Sequence, residues 1–146
     1  MSKVETEHIF SSGIHETFEG IRQYDQYPEY LPGISKLIVL PAKKKNSTCQ
    51  VRYEINLIKQ FYYVIDMFEE SPQKIWWSLA ESNLMKMNNG EWLLSETNEN
   101  QTHATYNLEV KFKGLVPSAV TNKVIQANLM ATLNGFQSLI DDNQKN

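Results

Sequence analysis

The chain has 146 residues, of which 41% are hydrophobic and 21% are charged. This composition is ordinary for a globular protein and argues against a disordered, collagen-like or disulfide-scaffold chain, while the length fits a single domain. Fourteen Lys and Arg against seventeen Asp and Glu give a net charge of −3, which removes the overall attraction to phosphate that most nucleic-acid-binding proteins need.

The first predicted elements are a strand and two short helices. Residues 3–10 alternate β-branched and charged side chains, which favours a strand at a sheet edge, and a Ser-Ser-Gly sequence then provides helix-start residues. Apolar residues spaced by four and by three give residues 14–24 one apolar helical face. In residues 25–33, Pro28 and Pro32 allow only a short helical turn.

A hydrophobic pattern with a period of two follows and predicts consecutive antiparallel strands. The six strands cover residues 34–40, 51–58, 61–68, 74–80, 92–97 and 103–112. Turn-forming residues separate them, and one such sequence is Asn-Asn-Gly at residues 88–90. We therefore predict a meander of hairpins in which residues 88–90 form a turn.

A long helix is predicted over residues 117–141, because Pro117 is tolerated in a first helical turn. Its apolar stripe consists of Ile125, Leu129, Leu133, Phe136 and Ile140. The opposite face is polar or small and has no charge, so it is either ordinary surface or a contact surface for a membrane or another protein. Amide side chains make residues 124–140 too polar for a membrane-spanning helix.

This order of elements predicts an α+β fold. A curved antiparallel seven-stranded sheet wraps around the long C-terminal helix, and two short helices follow the first strand. Only the last helix is long enough to cover the apolar face of such a sheet. Because a straight helix against a curved sheet leaves space, the candidate binding site is a cavity between them.

We expect three parts of the chain to line this cavity. The sheet contributes Tyr53, Ile55, Tyr63, Ile65, Trp77, Leu94, Tyr106 and Leu108, and the helix contributes Ile125, Leu129, Leu133 and Phe136. Residues 27–32 form a lip, from which Tyr30 and Leu31 close one end. Trp76 and Trp77 are adjacent in a strand, so only one of them can face the cavity.

The chemistry of these positions indicates binding more than catalysis. The inward positions include no carboxylate, lysine or arginine, whereas general acid–base catalysis needs a group that exchanges a proton near neutral pH. His8, His15 and His103 lack metal-ligand spacing, and no glycine-rich phosphate loop is present, so we predict neither a metal nor a cofactor. A single cysteine, Cys49, and an N-terminus without an apolar signal core predict a cytoplasmic protein.

Several segments carry a resemblance to a known family. The segment TFEGIRQYDQYPEYLPGISKLIVL, with its Tyr-Pro-acidic-aromatic-aliphatic-Pro run at residues 27–32, resembles the START-like (SRPBCC) superfamily and its polyketide cyclase/dehydrase and coenzyme Q-binding family. Three downstream segments occur in the same order as in that family, namely Gly90-Glu91-Trp92, residues 106–110 and Val116-Pro117. The resemblance implies the helix-grip fold, a single START-like ligand-binding domain over residues 1–146, and a cavity for lipids, isoprenoid quinones or polyketides.

The leading functional hypothesis is the binding or transport of a hydrophobic small molecule without conversion. One alternative is an aromatase/cyclase-like enzyme, which a buried inward carboxylate, arginine or histidine would favour. The other is a protein that contacts a ribosome or membrane complex through its surface, which a filled core without a cavity would favour.

Overall fold

The computed structural model describes residues 2–55, 61–114, 117, 119, 121 and 130–145. The strands are β1 (Ser2–Phe10), β2 (Ile34–Leu40), β3 (Cys49–Ile55), β4 (Phe61–Glu70), β5 (Lys74–Ser82), β6 (Met85–Glu96) and β7 (Thr102–Phe112). The helices are α1 (Ile14–Ile21), a 3₁₀ turn (Tyr24–Gln26), α2 (Tyr27–Tyr30) and α3 (Met130–Gln144). The predicted α+β architecture is confirmed.

The seven strands form one antiparallel sheet in the order β1-β7-β6-β5-β4-β3-β2. The first strand therefore pairs with the last and lies at an edge, as its mixed sequence predicts. Buried residues such as Tyr53, Tyr63 and Ile65 share the inner face, and burial alternates along β7 and most of β3. In β4, Val64 and Asp66 of the other face are buried as well. Of the adjacent tryptophans, Trp77 packs against the core, while Trp76 stacks on Phe68 on the outer face.

The predicted turn at residues 88–90 is wrong. These residues lie inside β6, and β5 joins β6 at residues 83–84 instead. Gly90 pairs with Trp77 on one side and with Leu108 on the other. An Asn-Gly sequence has a strong local preference for a turn, but here pairing on both sides and the packing of an indole over the glycine outweigh it.

The helices differ from the predictions at their ends. Helix α1 ends at Ile21 rather than near residue 24, because Gln23 leaves the helical conformation with φ −80° and ψ 60° before the 3₁₀ turn. The predicted short turn is confirmed as α2, with a proline in its first turn. Within the described residues, no helix is long and apolar enough to cross a membrane.

Helix α3 covers the inner face of the sheet with more than the predicted stripe. Phe136 and Ile140 are buried and Leu133 is partly buried, whereas Ile125 and Leu129 lie outside the described residues. Leu139 is fully buried but is not in the stripe. The buried sector is wider because α3 also packs against α1, where a Cβ at Gly20 would lie 2.6 Å from an Ile140 side-chain carbon.

Candidate functional site: an aromatic cavity

A cavity of about 60 Å³ lies between the inner face of the sheet, the α2 segment and helix α3. Its lining is mainly aromatic and aliphatic, and the described lining residues are Tyr27, Leu31, Ile34, Tyr53, Tyr63, Ile65, Met67, Ile75, Trp77, Asn88, Trp92, Tyr106, Leu108 and Phe136. Strand alternation explains this set, because every second residue of β3, β4, β5 and β7 projects toward the helix.

Aromatic rings in contact form the walls of the cavity. Tyr53 and Tyr63 face each other across β3 and β4, with ring centroids 4.7 Å apart and planes 12° apart. Trp92 contacts Tyr106 at 4.8 Å and Phe136 at 5.2 Å, so it joins the sheet wall to helix α3. Such rings are large and rigid, and their contacts fix the shape of the cavity.

The polar atoms of the lining divide into paired and unpaired groups. The Tyr27 hydroxyl donates to the Ile21 carbonyl, and the Trp77 indole Nε1 donates to Asn88 Oδ1 at 3.1 Å. In contrast, the hydroxyls of Tyr53, Tyr63 and Tyr106 form no hydrogen bond within the described part of the chain. None of the three is a fully buried unpaired atom, so they open into the cavity and can bind water or a ligand.

The cavity is electrically neutral over the described residues. None of its described lining residues is Asp, Glu, His, Lys, Arg or Cys. Burial raises the pKa of Tyr53, Tyr63 and Tyr106 above the usual value for a phenol, so all three keep their protons at neutral pH. The site can accept apolar surface and donate hydrogen bonds, but it offers no charge.

The described chain does contain buried or partly buried carboxylates, and they lie away from the cavity. Asp66 accepts a hydrogen bond from Gln50 at 2.9 Å and alternates with the inward-facing Ile65 and Met67, which places it on the outer face. Glu69 accepts bonds from Arg22 at 2.6 Å and from the Tyr24 hydroxyl at 2.7 Å. Neither carboxylate belongs to the cavity lining.

A protein family model matches most of this chain. The family model described as "Polyketide cyclase / dehydrase and lipid transport" matches residues 14–137, which is most of the sequence. The chain belongs to this family. The predicted START-like resemblance is thereby confirmed, and the family supports a role in ligand binding or of the polyketide-cyclase type, while binding of coenzyme Q stays a prediction. No curated protein sequence matches the chain significantly.

Solved structures with the same fold include a START superfamily protein and an aromatase/cyclase. A START superfamily protein from Mycobacterium smegmatis has a TM-score of 0.79 at 13% identity, with 96% of this chain and 97% of that chain covered. The Zhui aromatase/cyclase from Streptomyces sp. R1128 has a TM-score of 0.81 at 13% identity, with 96% and 93% covered. At these identities the likeness shows the helix-grip fold alone.

In this polyketide cyclase family member, the structure brings together most of the described residues predicted for the site. Leu31, Tyr53, Tyr63, Ile65, Trp77, Tyr106, Leu108 and Phe136 all line the cavity. Ile55, Leu94 and Leu133 belong to the surrounding hydrophobic core instead. Tyr30 points its hydroxyl to Asp142 Oδ2 at 2.6 Å and is not part of the lining, while Ile125 and Leu129 lie outside the described residues.

Six lining residues are absent from the predicted set, namely Tyr27, Ile34, Met67, Ile75, Asn88 and Trp92. Alternation along β4 and β5 turns Met67 and Ile75 inward, so the pattern contained this signal. Asn88 is absent from the prediction because residues 88–90 are predicted to form a turn. Trp92 lies in the predicted strand 92–97, two residues before the inward-assigned Leu94, so alternation already indicates its inward side. His8 lies outside the described lining, with its ring edge-on to Phe10 at 4.6 Å, and burial lowers its pKa.

The lip packs closely against helix α3. A Cβ at Gly135 would lie 2.4 Å from the Tyr30 carbonyl oxygen and 2.8 Å from a Leu31 side-chain carbon. Together with the Tyr30–Asp142 hydrogen bond, this contact holds α2 and Leu31 against the helix. The lip and α3 therefore form one wall of the cavity.

Proposed function

We propose that this protein binds a hydrophobic small molecule in the aromatic cavity and carries it without converting it. The observation that carries the proposal is the lining itself, which combines apolar surface with neutral hydroxyls and has no charged residue among its described members. Burial of apolar ligand surface contributes roughly 25 cal/mol per Å² before the costs of association, so binding needs no ion pair.

The state of the phenols supports binding over catalysis. A general acid or base works best with a pKa near the operating pH, and burial moves the pKa of Tyr53, Tyr63 and Tyr106 further from neutral. These hydroxyls can donate a hydrogen bond that orients a bound oxygen atom, but they are poor general acids because they do not give up their protons near neutral pH. Aromatase/cyclase-like chemistry would need a proton-transfer group supplied from outside the described lining.

The size of the cavity indicates how a ligand is accommodated. Small-molecule pockets commonly measure about 300–1,000 Å³, and this cavity measures about 60 Å³. A lipid, quinone or polyketide therefore requires the wall to open, and we expect the lip and α3 to separate because they are the described wall elements outside the sheet. Leu31 lies at that boundary, where it lines the cavity and contacts the helix at Gly135.

Native mass spectrometry of the purified protein, followed by organic extraction, tests the proposal. We expect a co-purifying apolar compound, and binding of members of a panel of long-chain lipids, isoprenoid quinones and polycyclic aromatics at both low and high salt. Little salt dependence is expected because no charge pair is available for screening. Conversion of a panel member would support the enzyme alternative, and the absence of any binding would favour the surface-interaction alternative.

A matched pair of variants links binding to the cavity. Leu31→Asp places a charge in the lining, whereas Leu93→Asp places the same charge at an exposed leucine outside it. We expect only the first variant to lose the bound compound. Equal retention by both variants would contradict the assignment of the cavity.

A further inference from the structure

Three unpaired hydroxyls in one small cavity call for an explanation. Tyr53, Tyr63 and Tyr106 are 8%, 6% and 9% exposed, and no described residue forms a hydrogen bond with their hydroxyls. Their oxygens are not fully enclosed, since among the described residues the fully buried side-chain atom without a partner is Ser78 Oγ. A hydroxyl that opens into a cavity needs water or a ligand as its hydrogen-bond partner. All three lie in the lining of the same cavity.

Their arrangement directs them toward the same space. Tyr53 and Tyr63 are register partners on β3 and β4 and project from the same face of the sheet, so their stacked rings bring two hydroxyls out side by side. Tyr106 projects from β7, on the far side of β5 and β6, and packs on Trp77 and Trp92. The three donors thus approach the cavity from two sides.

Resting on the proposed function, we propose that the hydroxyls of Tyr53, Tyr63 and Tyr106 form a polar subsite that binds the neutral carbonyl oxygen of an otherwise apolar ligand. Each phenol can donate one hydrogen bond, and a carbonyl oxygen accepts two. A ligand that filled the cavity with hydrocarbon alone would expel water from these hydroxyls and leave them without partners. A carboxylate would lose its hydration without gaining a cation, which is costly.

The other polar groups of the lining do not compete for this role. The Tyr27 hydroxyl already donates to the Ile21 carbonyl. Asn88 is engaged at both ends of its amide, because Oδ1 accepts from the Trp77 indole and Nδ2 donates to Met85 Sδ at 3.7 Å. Tyr62 provides the matched control, because it neighbours Tyr63 on β4 but lies outside the described lining, and its hydroxyl donates to Glu81 Oε2 at 2.9 Å. Removing the Tyr62 hydroxyl takes no donor from the cavity.

Three one-ring probes that differ in a single group test the proposal. Acetophenone presents a carbonyl, α-methylstyrene replaces the carbonyl oxygen by a CH₂ group in the same planar shape, and benzoate presents a carboxylate. The dissociation constants are measured by NMR titration of the full chain. We expect acetophenone to bind about tenfold more tightly than α-methylstyrene, the usual scale for one buried hydrogen bond, and benzoate to bind most weakly.

Variants then assign the preference to the phenols. In Tyr53→Phe/Tyr63→Phe, the preference for acetophenone over α-methylstyrene should fall to less than threefold, while Tyr62→Phe should keep it near tenfold. Because unpaired hydroxyls are removed, the double variant should unfold at the same urea concentration as the natural chain or a higher one. Tyr106→Phe provides an independent single variant with the same expected direction.

The outcomes separate this proposal from the proposed function. Equal affinity for acetophenone and α-methylstyrene, or a preference unchanged in the double variant, would overturn the polar subsite and leave the hydrophobic cavity standing. Tightest binding of benzoate would overturn the neutral character of the ligand. Failure of all three probes and of the lipid, quinone and polycyclic panel would overturn the binding function itself.

Discussion

Replacing Gly90 by alanine should disturb the cavity from within the sheet. A Cβ at this position would lie 2.1 Å from Trp77 Cζ2 and 2.6 Å from Trp77 Nε1, closer than any packed carbon can sit. The indole lies over the glycine because the two residues are register partners on β5 and β6. The added methyl group must therefore displace Trp77, which also breaks its hydrogen bond to Asn88.

The cost of Gly90→Ala follows from these two effects. Overpacking of a well-filled core costs about 1–3 kcal/mol, and the lost hydrogen bond adds roughly 0.5–1.5 kcal/mol. We expect the free energy of unfolding to fall by about 2–4 kcal/mol, measured by urea denaturation. Tryptophan emission should shift to longer wavelength as the indole moves toward solvent.

Two controls make this expectation specific. Asn89→Ala alters the neighbouring exposed residue of β6 and should change the free energy of unfolding by less than about 0.5 kcal/mol. In a double-mutant cycle with Trp77→Leu, Gly90→Ala should cost little, because the indole that needs the space is absent. A loss below about 0.5 kcal/mol for Gly90→Ala in the natural background, or the same loss with Trp77→Leu, would refute the reasoning.

Other expectations concern the helix, the lip and the phenols. Phe136→Ala removes a buried ring that contacts Tyr27 and Trp92. The free energy of unfolding, measured in urea, should therefore fall by about 3–5 kcal/mol. A fall below about 0.5 kcal/mol would contradict the inward placement of Phe136. Leu31→Asp should reduce ligand retention in native mass spectra more than it reduces stability in urea, and equal losses would make Leu31 only a core residue. Burial raises the pKa of Tyr53, Tyr63 and Tyr106. Above about pH 10 the unfolded chain therefore loses phenolic protons that the folded chain keeps. The phenols should leave the free energy of unfolding constant below about pH 9 and lower it as the pH rises further. Urea titrations at pH 8–11 test this, and an unchanged midpoint to pH 11 would contradict it.

The sequence predicts the sheet well because burial of one face imposes a period of two. Val51, Tyr53 and Ile55 alternate with Arg52 and Glu54, and this alternation alone gives the strand and its inward face. The same alternation predicts that Tyr106 and Leu108 of β7 lie on the inward face. Half-buried antiparallel strands are the elements in which local sequence and tertiary burial agree.

The errors occur where tertiary contacts outweigh local preference. Asn88 and Gly90 belong to a turn-forming sequence, yet the strands on either side and the Trp77 indole hold them in β6. Leu139 is not in the predicted stripe because a single stripe assumes one packing partner, whereas α3 packs against α1 and contacts the sheet through Phe136 and Trp92. Tyr30 is predicted to close the cavity, but its hydroxyl donates to Asp142 of α3. Contacts between distant residues decide all three, and no local pattern contains them.

Because glycine has no Cβ, Gly90 also influences the polarity of the cavity. It allows the Trp77 indole to lie across β6, where its N–H donates to Asn88 Oδ1 and its ring packs on Tyr106. This hydrogen bond engages Oδ1 of the one amide in the described lining, and its Nδ2 donates to Met85 Sδ, so the described polar groups without a protein partner are phenols. Displacement of the indole in Gly90→Ala would release Asn88 as a competing acceptor. The preference for carbonyl compounds should then weaken in that variant even at urea concentrations where it stays folded, which connects the packing of one glycine to the chemistry that the cavity can recognise.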